Sequence, residues 1–570
     1  MKKILIYFLL ILSGISFSVI KGQTERETRA VWVATNFRLD WPPARYDETI
    51  QKEALANIFD DIKKKNFNTV YFQVRFNATV LFRSTYEPLS FYITGKLGDT
   101  TGYDPLQYAI ELAHKRGLEL HAWVNILKCL DGTEKNLIDN PLHITKIHPD
   151  WIVKDTRDGA VSYWLDPGLP EVRHYLSGLI SEMALNYDID GVQYDYLRYP
   201  GKNFDDDFSY SVHGKDLNRD EWRRNNLTEL VKELSEKIKA EKPTMKLGAA
   251  PIGIYRNMQY AKGLEGFNDV YQDSREWLKL KYIDYVVPQI YWTFEGNPRF
   301  DVLAKDWNSN SFGRSVILGI AAYKPDVYSE LDKMIQLSRN INTGGVAFFR
   351  YSNIKNYDFD LFPNKAFPAV MAWLDGSKPN PPSGLICQFI EGKQDFFNLS
   401  WKQPAETGSD DSLRYFSLYS IKSPVDKPTN EDLFEIISSS KNSVSLGIRR
   451  PRKVSYFFTL KSVTKLWNES LGNSNVVKVT FPEMIALSGI DELSSQPFIL
   501  KEKEGSPKIL LFSEAEGHIT IYLKDRGTVK KIGESGVEAG KNVISVNYII
   551  PDSGELLLNF GKGKEVKITL

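Results

Sequence analysis

Between residues 28 and 353, short apolar runs rich in β-branched and aromatic residues alternate with longer stretches in which apolar positions recur every three or four residues. The first kind of run suits a buried strand, the second an amphipathic helix. Eight strands are predicted, at 29–35 (RAVWVAT), 69–74 (TVYFQV), 119–126 (ELHAWVNI), 191–196 (GVQYDY), 246–251 (KLGAAP), 284–291 (DYVVPQIY), 315–321 (SVILGIA) and 345–350 (GVAFFR). Helical periodicity occupies 49–65, 105–116, 169–185 and 220–241. Such alternation predicts an α/β fold with a parallel sheet wrapped by helices, and eight units in about 330 residues match a (β/α)8 TIM barrel with insertions. An open doubly wound sheet is the alternative, but NFRLDWPP follows the first strand where a glycine-rich phosphate loop would stand. Segments 77–101 and 201–219 lack regular periodicity and are predicted loops after strands two and four.

The pattern changes after Leu374, where DGSKPNPPSG reads as a linker. Beyond it lie alternating runs such as LSWKQP, RYFSLYSI and HITIYLKD, which predict two small all-β sandwich domains at 381–481 and 482–570 after a barrel at 26–375. Residues 381–481 resemble a fibronectin type III domain, with Trp401 matching the early-strand tryptophan and Tyr456, followed by WNES, matching the late strands. A chain of 570 residues is too long for one core, in keeping with this division. At the other end, Lys2 and Lys3 precede ILIYFLLILSGISFSVI, which reads as a signal peptide over 1–22 and predicts export to the periplasm or cell surface. An uncleaved anchor is the rival, since ~18–20 apolar residues span a bilayer.

Lys plus Arg and Asp plus Glu number 72 each, so the chain has no net field that would gather nucleic acid or an anionic membrane surface. Cys129 and Cys387 fall in different predicted domains and far from the apolar N-terminus, which excludes a disulfide framework, a cysteine metal site and a lipoprotein anchor. The seven histidines form no HExxH and no G-x-S-x-G elbow is present, so neither a metal hydrolase nor a serine hydrolase is expected, and no cofactor is called for.

The most informative stretch is DGVQYDYLRYPG at 190–201. Alternation puts Gln193 and Asp195 on one face of the strand and Val192, Tyr194 and Tyr196 on the other. With the apolar face against the helices, Asp195 points into the barrel mouth, where barrel enzymes carry their reactive groups. The competing reading is a buried ion pair with Arg198. Asp190, at the strand's entrance, reads as a turn or cap residue.

This stretch joins a longer series: RAVW at 29–32, LDWP at 39–42, QVR at 73–75, GYDPL at 102–106, HAW at 121–123 and PQIYW at 288–292. In this order and density the motifs resemble the glycosyl hydrolase-like 10 (DUF187) family, whose characterised type is a divisome-localised hydrolase of denuded peptidoglycan glycan strands. The resemblance implies a glycosidase of the cell envelope with a polysaccharide substrate. Some relatives carry two adjacent Asp where this chain has Asp195-Tyr196. The motif is also similar to the signature of family eighteen chitinases, but Leu197 falls near their catalytic Glu, so that mechanism is not expected.

Glycoside hydrolysis commonly uses two carboxylates, about 5–5.5 Å apart for retention and about 6.5–9.5 Å for inversion. Candidate companions for Asp195 are Asp273 in YQDSREW, Glu295 in YWTFEG and Asp40 in LDWP. Asp273 could instead cap the helix that follows, and Glu295 could be an exposed loop charge. Trp41, Trp123, Tyr291 and Trp292 could stack on sugars, or could simply fill the core. Arg75, Asn125, Arg198, Gln289 and Arg350 could bind hydroxyl, acetamido or carboxylate groups, with Tyr199 of the strand-four motif beside them; barrel-mouth salt bridging is the plainer alternative. His121 is read as a satisfied core residue. A non-catalytic glycan-binding or scaffold protein with a degenerate barrel is the rival function.

Overall fold

The computed structural model describes residues 26–157, 159–214, 217–390, 393–404, 413–449 and 455–480, and, within 498–569, all but 503–506, 514–515, 526–527, 539, 547, 549–553 and 561–564. The expected signal peptide lies outside the described residues. Among the described residues no helix is long and apolar enough to cross a membrane.

Eight parallel strands close into a barrel: β1 (Thr28–Val33), β2 (Thr69–Phe76), β3 (Glu119–Asn125), β4 (Gly191–Asp195), β5 (Lys246–Ala249), β6 (Tyr285–Val286), β7 (Ser315–Ile320) and β8 (Gly345–Phe348). Each pairs with the next, and β8 returns to β1. All eight predicted strands are present; β6 is short because Pro288 has no N–H to give to the ladder. The connecting helices include α1 (Glu48–Lys64), α2 (Pro105–Lys115), α3 (Pro170–Asn186), α4 (Arg219–Glu241) and the short α5 (Ser274–Lys279). Asp47, Asp104 and Asn218 cap α1, α2 and α4 by accepting from backbone N–H groups of the first turn.

Strand alternation sorts the residues. Val31, Val33, Val70, Phe72, Leu120, Val192 and Tyr194 face outward and pack with the helices in one large core. Ala30, Trp32, Tyr71, Trp123, Tyr285, Ile317 and Ala347 face inward and fill the barrel. The fit is tight enough that a Cβ on Gly248 would stand 2.2 Å from the Tyr285 ring.

The barrel floor is polar and is closed by another part of the chain. Glu119, first residue of β3, is buried against Lys246 and lies 3.2 Å from His121. Trp467, far along the chain, donates its indole N–H to the same Glu119 at 2.7 Å. Around this contact Arg414 pairs with Asp188 at 2.6 Å and Tyr415 donates to the Leu118 carbonyl at 3.2 Å. His121 sits between Glu119 and Tyr285, as a satisfied core residue.

Beyond the barrel the described chain is all β. A four-stranded sheet (433–438, 413–421, 455–464, 477–480) accompanies a six-stranded one (383–390, 393–402, 443–449, 498–502, 508–513, 540–545), and a further four-stranded sheet follows (528–537, 517–525, 555–559, 565–569). The six-stranded sheet runs across the boundary expected at 481, because Ser443–Arg449 pairs with Phe498–Glu502. An insertion after β3, absent from the predicted elements, forms a three-stranded antiparallel sheet of Lys128–Asp131, Ile152–Arg157 and Ala160–Leu165. Its signal was the Asp-Gly of TRDGAV between two alternating runs, a strong hairpin cue.

Candidate active site

Asp195 ends β4, at the C-terminal face of the barrel. The next residue, Tyr196, adopts φ +50°, a left-handed conformation uncommon for a tyrosine. This turn brings the Tyr196 N–H to 2.7 Å from Asp195 Oδ1. Trp123 of β3 donates its indole N–H to Oδ2 at 3.0 Å, and Gln289, beyond β6, donates to Oδ1 at 3.3 Å. Three donors from three elements therefore fix one carboxylate. Burial nonetheless holds its pKa above the ordinary carboxylate value, against the lowering effects of the Tyr196 N–H, Arg198, Trp123 and Gln289. Asp195 is buried, with 8% of the whole residue exposed.

An aromatic rim stands over it. Phe349, just past β8, lies 5.9 Å from Trp32, 6.1 Å from Trp123, 6.1 Å from Tyr291 and 6.0 Å from Tyr323 between ring centroids. Tyr323 is 46% exposed and offers a face to a sugar ring. On the other side the Arg198 guanidinium lies 5.2 Å from the Tyr196 ring and 5.6 Å from that of Trp164, which belongs to the insertion after β3. Phe349, Tyr323 and Trp164 were missed in the sequence. The first two fall at strand exits, a position that would have drawn attention to them; Trp164 reaches the site only through an insertion.

Of the candidate residues, Trp123, Gln289, Tyr291 and Arg198 gather around Asp195. Asn125 is the register partner of Asp195 on the neighbouring strand and is buried, its carbonyl accepting from Arg75. Trp292 is partly buried near Lys324. Four other expectations are corrected by burial. Arg75 is wholly enclosed, bound to both oxygens of Glu87 and to the Asn125 and Ile126 carbonyls, so its donors are spent on a buried carboxylate and on backbone. Trp41 is fully buried and donates to the Gln51 carbonyl at 2.8 Å. Tyr199 is buried against Tyr271 and Phe204. The Asp40 side chain is inaccessible and accepts from Ala34 N, Ser352 N and Arg350, tying down the chain after β8. Arg350 is thereby committed to Asp40.

Asp273 caps α5 and accepts from the Tyr255 hydroxyl at 2.7 Å. Glu295 is an exposed loop residue. The groups that act most strongly on Asp195 include no carboxylate. Among the described residues no cluster of three or more His, Cys, Asp or Glu could hold a metal ion.

A second polar centre lies under the loop after β4. Asp206 is buried and paired with Arg223 and Arg219. Asp166 accepts from Ser209 Oγ at 2.6 Å and the Gly168 N–H at 2.8 Å, and burial raises its pKa to about 6.

A closed parallel barrel with a hydrogen-bonded acid and an aromatic rim at the C-terminal ends of its strands has its candidate groups where barrel enzymes carry theirs. The glycosyl hydrolase-like 10 family model matches residues 27–334, and the chain belongs to that family. The glycosyl hydrolase YngK of Bacillus subtilis is 32% identical over 80% of this chain and 94% of its own length. The glycosyl hydrolase DigH of Escherichia coli K12 is 34% identical over 54% of this chain and 76% of its own. Among solved structures, the glycoside hydrolase domain of PgaB (BpsB) from Bordetella bronchiseptica aligns with a TM-score of 0.43 at 15% identity, over 58% of this chain and 96% of that one.

Proposed function

We propose that this protein is an exported glycoside hydrolase that cuts the glycan strands of peptidoglycan, with Asp195 as the residue that exchanges a proton with the scissile bond or attacks it. The observation that carries this reading is Asp195 itself: one buried carboxylate at a barrel-strand exit, held by three donors and raised in pKa. A carboxyl whose pKa burial has raised is better suited to acid–base work than an ordinary one. Family membership and the glycosyl hydrolase names of the relatives support the reaction class. The basic apolar N-terminus supports export. The strand grouping of 383–480 supports a fibronectin type III-like module after the barrel.

The test is incubation of purified protein with peptide-free wall glycan, intact sacculi, chitin and plant polysaccharides, with products read by mass spectrometry. New reducing ends from wall glycan with the wild type, and a loss of about 100- to 10,000-fold in Asp195→Asn, are expected. One observation favours a second reading, a glycan-binding scaffold: Asp273 is taken up by the Tyr255 hydroxyl and its own helix, and Glu295 is exposed in a loop. Saturable binding to sacculi without any release of reducing ends would establish the scaffold instead.

A further inference from the structure

The three arginines expected at the strand exits have met different fates. Arg75 is neutralised by Glu87 at 2.6 Å and Arg350 by Asp40 at 3.0 Å. The neighbouring cations of the insertion are likewise paired, Lys128 with Asp131 at 2.7 Å and Arg157 with Asp155 at 3.1 Å. Arg198 differs. Its one hydrogen bond runs from a terminal guanidinium nitrogen to the Tyr199 carbonyl at 3.3 Å, and no carboxylate among the described residues comes within 4 Å of it.

It is also partly exposed, three residues beyond Asp195, with its charge felt at that carboxylate. A half-buried guanidinium with no carboxylate in hydrogen-bond contact is costly, and the more distant charges of Asp195 and Asp155 and the Trp164 and Tyr196 faces at 5.6 and 5.2 Å offset only part of that cost. The same rings hold the planar fork in place, leaving most of its donors free for a bidentate anion.

We infer that Arg198 is a specificity-determining residue that binds a carboxylate carried by the sugar next to the bond being cut. The insertion after β3 supplies one wall of this subsite through Trp164. The inference rests on the reading that Asp195 cuts a glycan. The ligand chemistry is a sugar carboxylate, either a lactyl ether or the C6 carboxylate of a uronic acid.

The experiment compares kcat and KM of wild type, Arg198→Gln and Arg198→Lys on peptide-free wall glycan, on the same glycan after its carboxylates are amidated, and on oligouronides. Wild type should prefer the free acid by about 10- to 100-fold in kcat/KM, chiefly through KM. That preference should collapse to near unity in Arg198→Gln and be partly kept in Arg198→Lys. Wall glycan or oligouronide, whichever shows the preference, identifies the source of the carboxylate. An Arg198→Gln variant that loses the same factor on acid and amidated glycan, with a shifted pH profile on both, would show a counter-ion of Asp195 only and overturn the subsite. If wild type hydrolyses none of the substrates, the hydrolytic reading fails. Equilibrium binding of acid against amidated glycan then decides the Arg198 assignment on its own.

Discussion

At the residue scale, the properties of Asp195 follow from the competition between burial and its donors. Burial favours the protonated form; each N–H favours the carboxylate. Removing a donor therefore raises the pKa further. Trp123→Phe keeps an aromatic ring, though a smaller one, and loses the 3.0 Å bond. It is expected to move the Asp195-dependent limb of the kcat/KM pH profile to higher pH, whichever protonation state is the active one. A limb that stays put, or moves to lower pH, would assign that limb to another group.

The element scale explains both what was legible and what was not. Asp195 was legible because period-two alternation in GVQYDY allows only one inward set, and Gln193, bonded to Trp32, shares it. Trp41, Tyr199 and Asp40 follow strand ends, but a strand exit is not always an open mouth. Their loops fold back and cover them, which no local pattern records. Asp166, which precedes α3 and accepts from Ser209 of the loop after β4, also makes stability depend on pH. Asp166, at about 6 in the folded protein against an ordinary 3.8, takes up a proton on folding between those values. Its folded-state pKa is raised, so the stability it contributes is fully present below pH 3.8 and is lost as pH rises through 6. The wild type should therefore gain stability relative to Asp166→Asn as pH falls from 7 to 4, by up to about 3 kcal/mol. Denaturation midpoints of both proteins across that range would reveal it, and a constant difference would contradict it.

For the whole molecule, the first β-region is part of the barrel's floor. Trp467 stacks on Tyr415 with centroids 4.7 Å apart, lies 5.5 Å from Phe367, and bonds the buried Glu119. Glu435 binds Lys63 and Lys365 from the barrel side. Trp467→Ala is expected to destabilise the folded chain by about 3–5 kcal/mol, through a cavity and a Glu119 oxygen stripped of a donor. Trp467→Phe, which retains the ring, should cost less. Urea unfolding followed separately by barrel activity and by β-domain fluorescence would show the two regions failing together; independent transitions would mean that the floor is dispensable.

The sequence by itself determined the eight strands, their inward and outward faces, the four long helices and the acid at the end of the fourth strand. These follow from local periodicity, since side-chain direction repeats every two residues in a strand and every 3.6 in a helix. Only the tertiary structure decided which polar groups would be spent on one another and which left for a ligand. Arg75 and Glu87, Arg350 and Asp40, and Trp467 and Glu119 are separated by 12, 310 and 348 residues, and such pairings arise from chain closure in three dimensions. Arg198 was left without a carboxylate partner among the described residues by that same closure, and its meaning could be read only once the others had been paired.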